Sequence, residues 1–259
     1  MPVISSVIRL TRIEQAASIR NAFNEQFYHP DTGLYGNGSQ TSLSCALYQG
    51  LVEPENQARV LGNLVAAVEK CNGHIDTGIL GAKYLLNALL ENGRADVAYR
   101  IASQKDLPSW GWWIEQGATT LWEQWNGTES RNHIMFGDIS AWFYKALAGI
   151  NVDPTAPAFK HFVIKPNIVG GLTSAKASCD SVRGGIVSDW EVEKGRFKLT
   201  VKVPANTTAT VWVPTIDSSA VVEGGWPAMK AEGVRDFRIE AGRAVFEVGS
   251  GTYHFTAPL

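Results

Sequence analysis

The hydrophobic period of this chain changes once, and the change constrains every fold it can adopt. Up to about residue 150 apolar side chains recur every three to four positions; beyond that point they alternate. The switch falls on Asn151-Val-Asp-Pro-Thr-Ala-Pro157, where two prolines stand in four residues. Such a segment continues neither a helix nor a central strand. Before it the pattern predicts helices over Ile4–Phe27, over Leu43–Leu51, from Val60 to Cys71, over Ile79–Leu90, over Ala95–Gln104 and over Ile134–Ile150. They are separated by turns such as His29-Pro-Asp-Thr-Gly33 and Asn92-Gly93. Six or seven helices are expected, joined as antiparallel hairpins of a bundle or an α/α toroid. After the switch, Phe197, Leu199, Val201 and Val203 alternate with polar residues, as do Val211 and Val213, Ala244, Phe246 and Val248, and Tyr253 and Phe255. Turn signals at Lys194-Gly195 and Ala241-Gly242 space them as short strands of an antiparallel β-sandwich. The expected architecture is multi-domain, α then β: a helical domain over 1–152 and a β-sandwich over 153–259.

Composition excludes several function classes. The 259 residues carry 23 basic and 25 acidic side chains, and neither half is strongly basic, which argues against a nucleic-acid or membrane surface. No run approaches the roughly 18 apolar residues of a spanning helix. The first twenty residues lack a basic stretch followed by an apolar block, so no signal peptide is expected; the compartment stays open. Cys45, Cys71 and Cys179 form no C-x-x-C or Cys/His cluster, so neither zinc nor any other metal or cofactor is expected, and buried free thiols fit better than a disulfide framework. Phosphate-binding, zincin and nucleophile-elbow motifs are absent.

Six of the nine tryptophans lie between Trp110 and Trp142. Indole faces stack on sugar rings, but a tryptophan-rich core would show the same density. Within this stretch Glu123 stands between Trp122 and Trp125, with Glu115 nearby. A carboxylate walled by indoles loses water, which suits acid/base work. By spacing alone Thr120 and Glu123 read more simply as a capping box, with the glutamate reaching back to the start of a helix, and the two readings are compatible. His133 is placed to reach a cleft or to sit near a helix start at the surface. His74, Asp76 and Thr77 precede an apolar helix, where Asp76 or Thr77 reads most simply as its N-cap, and Gln40-Thr41 reads as another capping segment.

The block GATTLWEQW (Gly117–Trp125), preceded by PSWGWWIE (Pro108–Glu115), resembles the catalytic domain of bacterial α-L-rhamnosidases, inverting glycoside hydrolases built on an (α/α)6 toroid. The similarity runs through Gly36–Val52, Gly73–Ala102 and Asn132–Ile150, and into the family's C-terminal β-sandwich at Phe159–Pro166 and Leu199–Pro214. The resemblance implies a glycoside hydrolase that removes terminal α-L-rhamnose from an oligosaccharide or glycoside. In it Glu123 matches the general base and His133 a sugar-contacting histidine. Trp110, Trp113, Trp122 and Trp125 would help to line the pocket, and His74 lies in a matching loop. The family's general acid sits upstream in an acidic motif that this sequence lacks, as it lacks the usual N-terminal β-domains. The expectation is therefore half a toroid plus the sandwich, weakly active or inactive alone, with Glu115, Glu129 or Asp138 the candidate acid should it turn over. Half a toroid exposes a face, which predicts association of two chains or low stability. Another toroid glycosidase and a non-catalytic carbohydrate-binding or structural module are the alternatives.

Overall fold

A computed structural model describes residues 2–259, with side chains from residue 11 onward. The chain forms two compact units, one ending at Ile139 and the other spanning Ser140–Leu259.

The first unit is helical. Helix α1 (Pro2–Phe27) is followed by the two-residue strands β1 (Tyr28–His29) and β2 (Leu34–Tyr35), then α2 (Gln40–Tyr48), α3 (Gln57–Lys70), α4 (Ile79–Glu91), α5 (Ala95–Ala102) and α6 (Trp110–Glu115). The core lies between α2, α3 and α4, with α5 against α4. Leu43, Val60, Leu64, Val68, Leu85 and Leu89 are fully buried there, at the helical spacing the sequence shows. Ser39, not Gln40 or Thr41, caps α2, its hydroxyl accepting from the Ser42 amide at 3.2 Å. Gly78 occupies the N-cap of α4 with no side-chain bond, so neither Asp76 nor Thr77 acts as its cap. The described part of α1 is largely exposed, including Ile13 and Ile19; Phe23 and Asn24 are its half-buried residues. Asn24 anchors it by donating to the Leu51 carbonyl at 2.8 Å and accepting from the Tyr35 hydroxyl.

The segment expected as one helix over Ile134–Ile150 is instead broken. A 3-10 turn, Ile134–Phe136, leads to α7 (Asp138–Trp142), which widens into a π-helical turn at Phe143–Ala148 and ends at Gly149 with φ 79°. A Cβ at Gly149 would stand 2.2 Å from the Pro166 nitrogen, so this position needs glycine for space as well as for conformation.

The second unit is a two-sheet sandwich. Its strands are β3 (Ile150–Val152), β4 (His161–Ile164), β5 (Ser174–Ser181), β6 (Gly184–Glu193), β7 (Arg196–Val203), β8 (Thr208–Pro214), β9 (Val222–Glu223), β10 (Trp226–Pro227), β11 (Val234–Glu240), β12 (Arg243–Val248) and β13 (Gly251–Pro258). One sheet runs β10-β9-β13-β7-β6-β5 and the other β11-β12-β8-β4-β3. All pairings are antiparallel except β4 with β8, which are joined by the long excursion through β5–β7. Inward residues of both sheets share one core, where Phe246 of β12 stacks on Phe255 of β13 at 5.3 Å between centroids. Along β7 the alternation read from sequence is the observed one, with Phe197, Leu199, Val201 and Val203 all buried.

Candidate active site

Helix α6 starts at Ser109, whose hydroxyl accepts from the Trp112 amide at 2.9 Å, and stops at Gly117 with φ 78°. From there to His133 the chain contains neither helix nor strand. Two stretches of this loop nonetheless run side by side. The Glu123 amide donates to the Ser130 carbonyl at 2.8 Å, and the His133 amide donates to the Leu121 carbonyl at 2.8 Å. The Thr120 hydroxyl donates to the Arg131 carbonyl. These bonds bring together two side chains ten positions apart: His133 Nδ1 lies 3.6 Å from Glu123 Oε2, each side chain about a third exposed. The Ser130 amide donates to the same Glu123 oxygen at 3.3 Å.

The expected capping box is thus absent. No helix begins at Thr120, and Glu123 points across the loop rather than back along it. His133 precedes the 3-10 turn but makes no side-chain bond to it. Its Nε2 has no hydrogen bond among the described residues.

The tryptophans of α6 and of the same loop pack on one another. Trp113 stacks on Trp125 at 4.7 Å, and Phe136 packs 4.2 Å from Trp125 between centroids. Trp110 meets Trp125 edge-on, and Trp122 leans on Trp113 with the Arg131 guanidinium 4.6 Å above its ring. Each central indole N–H ends on a backbone carbonyl: Trp110 on Phe136 (3.1 Å), Trp113 on Trp125 (2.8 Å) and Trp125 on Thr77 (2.8 Å). Trp110, Trp113 and Trp122 are buried, and Trp125 is half-buried.

The Trp125–Thr77 bond ties this loop to the one carrying His74. His74 Nδ1 lies 3.1 Å from the Cys71 carbonyl and Nε2 lies 2.8 Å from Asp106 Oδ1, a bond that holds the Asp106 carboxyl below its ordinary range. Gln40, buried in α2, takes the same loop from inside: its Nε2 donates to the His74 carbonyl at 3.0 Å and its Oε1 accepts from the Asp76 amide at 2.8 Å. Sequence reasoning gave Gln40 only a capping role. Asn87 was missed too. Fully buried on α4, it donates to Asp138 Oδ2 and to the Lys83 carbonyl, both at 2.7 Å. The signal was present, since Asn87 interrupts the apolar run Leu85-Leu86-Asn87-Ala88-Leu89. Glu115 and Glu129 are exposed.

The three cysteines are free and half-buried, and burial pushes the Cys45 and Cys71 thiols up. Among the described residues no group of three or more His, Cys, Asp or Glu side chains could hold a metal, and no helix is long and apolar enough to cross a membrane.

Residues 13–147 match the family model of the bacterial alpha-L-rhamnosidase 6 hairpin glycosidase domain, and 149–225 match that of the bacterial alpha-L-rhamnosidase C-terminal domain. An alpha-L-rhamnosidase of Streptomyces avermitilis is 35% identical over 249 residues, covering 92% of this chain and 23% of that protein. The crystal structure of a Streptomyces avermitilis alpha-L-rhamnosidase complexed with L-rhamnose superposes with a TM-score of 0.87 at 34% identity, covering 94% of this chain and 24% of that one. That of alpha-L-rhamnosidase from Dictyoglumus thermophilum gives 0.86 at 35% identity, covering 95% and 28%. The chain therefore spans about a quarter of the length of these relatives. By sequence and by fold, the chain belongs to the bacterial alpha-L-rhamnosidase six-hairpin glycosidase family.

Proposed function

We propose that this chain supplies the base-carrying portion of an inverting α-L-rhamnosidase, with Glu123 as general base. The observation that carries the reading is the Glu123–His133 pair, 3.6 Å apart and partly open to solvent on a loop braced by buried indoles. A carboxylate so placed takes a proton from water as that water attacks the anomeric carbon, while a separate acid protonates the leaving oxygen. The two carboxyls of an inverting enzyme stand roughly 6.5–9.5 Å apart to admit the water. The Ser130 amide and the His133 ring both face the Glu123 oxygen and fix its direction. His133 Nε2 is the nitrogen left to meet a sugar hydroxyl. Three of the four indoles carry the loop from beneath, and half-buried Trp125 is the one with surface left for the sugar. His74, held by Cys71 and Asp106, shapes the neighbouring loop.

Indole fluorescence of the chain should respond to millimolar L-rhamnose, and His133→Ala should weaken that response. Any hydrolysis of an aryl α-L-rhamnoside should fall about 10²–10⁴-fold in Glu123→Gln. Turnover undiminished in Glu123→Gln refutes the assignment. Association of two chains through the exposed half-toroid face is a separate expectation, and light scattering showing a stable monomer at high concentration overturns it.

A further inference from the structure

The β-sandwich unit holds a second concave site. Its volume is about 740 Å³, within the range of small-molecule pockets, and it opens between the Thr155–His161 segment, the β5–β6 turn, the start of β8 and β11. Three cations line it (Lys160, Arg183 and Arg235), and no carboxylate does. None of the three makes an ion pair among the described residues. Arg183 is held in place by its Nε, which donates to the Ala158 carbonyl at 3.0 Å. On the lining, His161 is fixed between two strand hydroxyls, Nδ1 at 2.7 Å from Thr208 and Nε2 at 2.8 Å from Thr210. The rest of the lining mixes hydroxyl and amide groups of Thr155, Thr208, Asn206 and Ser250 with apolar surface from Ala156 and Pro157. No aromatic ring lines it, so a ligand is gripped by hydrogen bonds and charge rather than by stacking.

We infer that this cleft binds an acidic saccharide, one or two sugar rings bearing a carboxylate or a sulfate ester. Guanidinium forks match the planar carboxylate and the sulfate oxygens, and the hydroxyl and amide groups set among apolar surface match the mixed faces of a sugar ring. The proposal concerns a site separate from Glu123 and does not depend on it.

The test uses the whole chain, isotope-labelled, titrated in low salt with digalacturonate, galactose 6-sulfate, their uncharged counterparts and inorganic sulfate. The expected result is that at least one acidic sugar shifts the amides of Asn206, Thr208 and Arg235, and that the uncharged sugars do not. Arg183→Ala and Arg235→Ala, both at exposed positions, should each weaken binding about tenfold while the core amides of β7 and β13 keep their shifts. Raising the salt should weaken it further. The proposal is overturned by no shift with either acidic sugar, by inorganic sulfate binding as tightly as the sugars, or by variants that bind as well as the parent.

Discussion

Trp113 and Trp190 are both buried tryptophans, yet they do different work. Trp190 sits on β6, paired to Ala175 on one side and Leu199 on the other, in a ladder that is complete without its side chain. Its indole N–H adds one bond, to the Leu147 carbonyl at 2.7 Å. Trp113 projects from a six-residue helix against a loop that has no ladder, and it contacts Trp122, Trp125 and Phe136 at once. Where the backbone orders itself, an aromatic residue fills volume. Where the backbone is irregular, several indoles at once hold the loop by their N–H groups, as Trp110, Trp113 and Trp125 do.

The sharpest way to break that contrast is truncation. Trp113→Ala and Trp190→Ala should each cost about 3–5 kcal/mol in denaturant unfolding. Only Trp113→Ala should also speed hydrogen exchange at Glu123 and His133 and erase the response to rhamnose; an intact response would mean that the loop holds itself. Next in size, Gln40→Ala removes both bonds to the 74–76 segment and leaves partly buried backbone groups unpaired, for about 1–2 kcal/mol. It should raise exchange at the Asp76 amide before global unfolding.

A third prediction concerns the helical unit at high pH. Burial, helped by nearby Tyr28 and Glu53, pushes the Tyr35 phenol up to about 12 from an ordinary 10.0. A group raised in the fold contributes stability that is full below its unfolded pKa. That contribution disappears as pH climbs through the folded value. The helical unit should therefore lose roughly 1–2 kcal/mol between pH 10 and 12, and Tyr35→Phe should flatten that fall. A fall of the same slope in the variant removes Tyr35 as the cause. Smallest, Trp125→Phe keeps the ring stacked and deletes only the bond to Thr77, costing about 1 kcal/mol and loosening the Thr77 segment.

The same contrast explains what the sequence discloses. The β7 residues Phe197 to Val203 have one periodicity and one sheet face to satisfy, so their burial follows directly from alternation. Helices α2 to α5 are legible for the parallel reason, their apolar stripe being wide and their ends marked by glycine, asparagine or proline. Ile134–Ile150 misleads because Ile139, Trp142, Ala146 and Leu147 satisfy a helical wheel, and a wheel drawn over six residues does not distinguish a π turn from an α turn. Thr120 and Glu123 have the spacing of a capping box, but tertiary packing decides otherwise. Trp122 and Trp125 are drawn onto Trp113, and the chain between Thr120 and His133 follows them. No local pattern encodes a Glu123–His133 pair, whose partners belong to neither a shared helix face nor a shared strand. The block around Glu123 was recognisable only as a likeness to a family.

The two backbone bonds that join Glu123 to Ser130 and Leu121 to His133 close within a thirteen-residue stretch, Leu121–His133. The carboxylate and its imidazole are consequently a prefabricated part, with their separation set by neighbouring chain and not by distant helices. On the function proposed above, a proton donor from any other stretch of polypeptide has to be brought into line with them, so tolerance resides in how that donor is delivered.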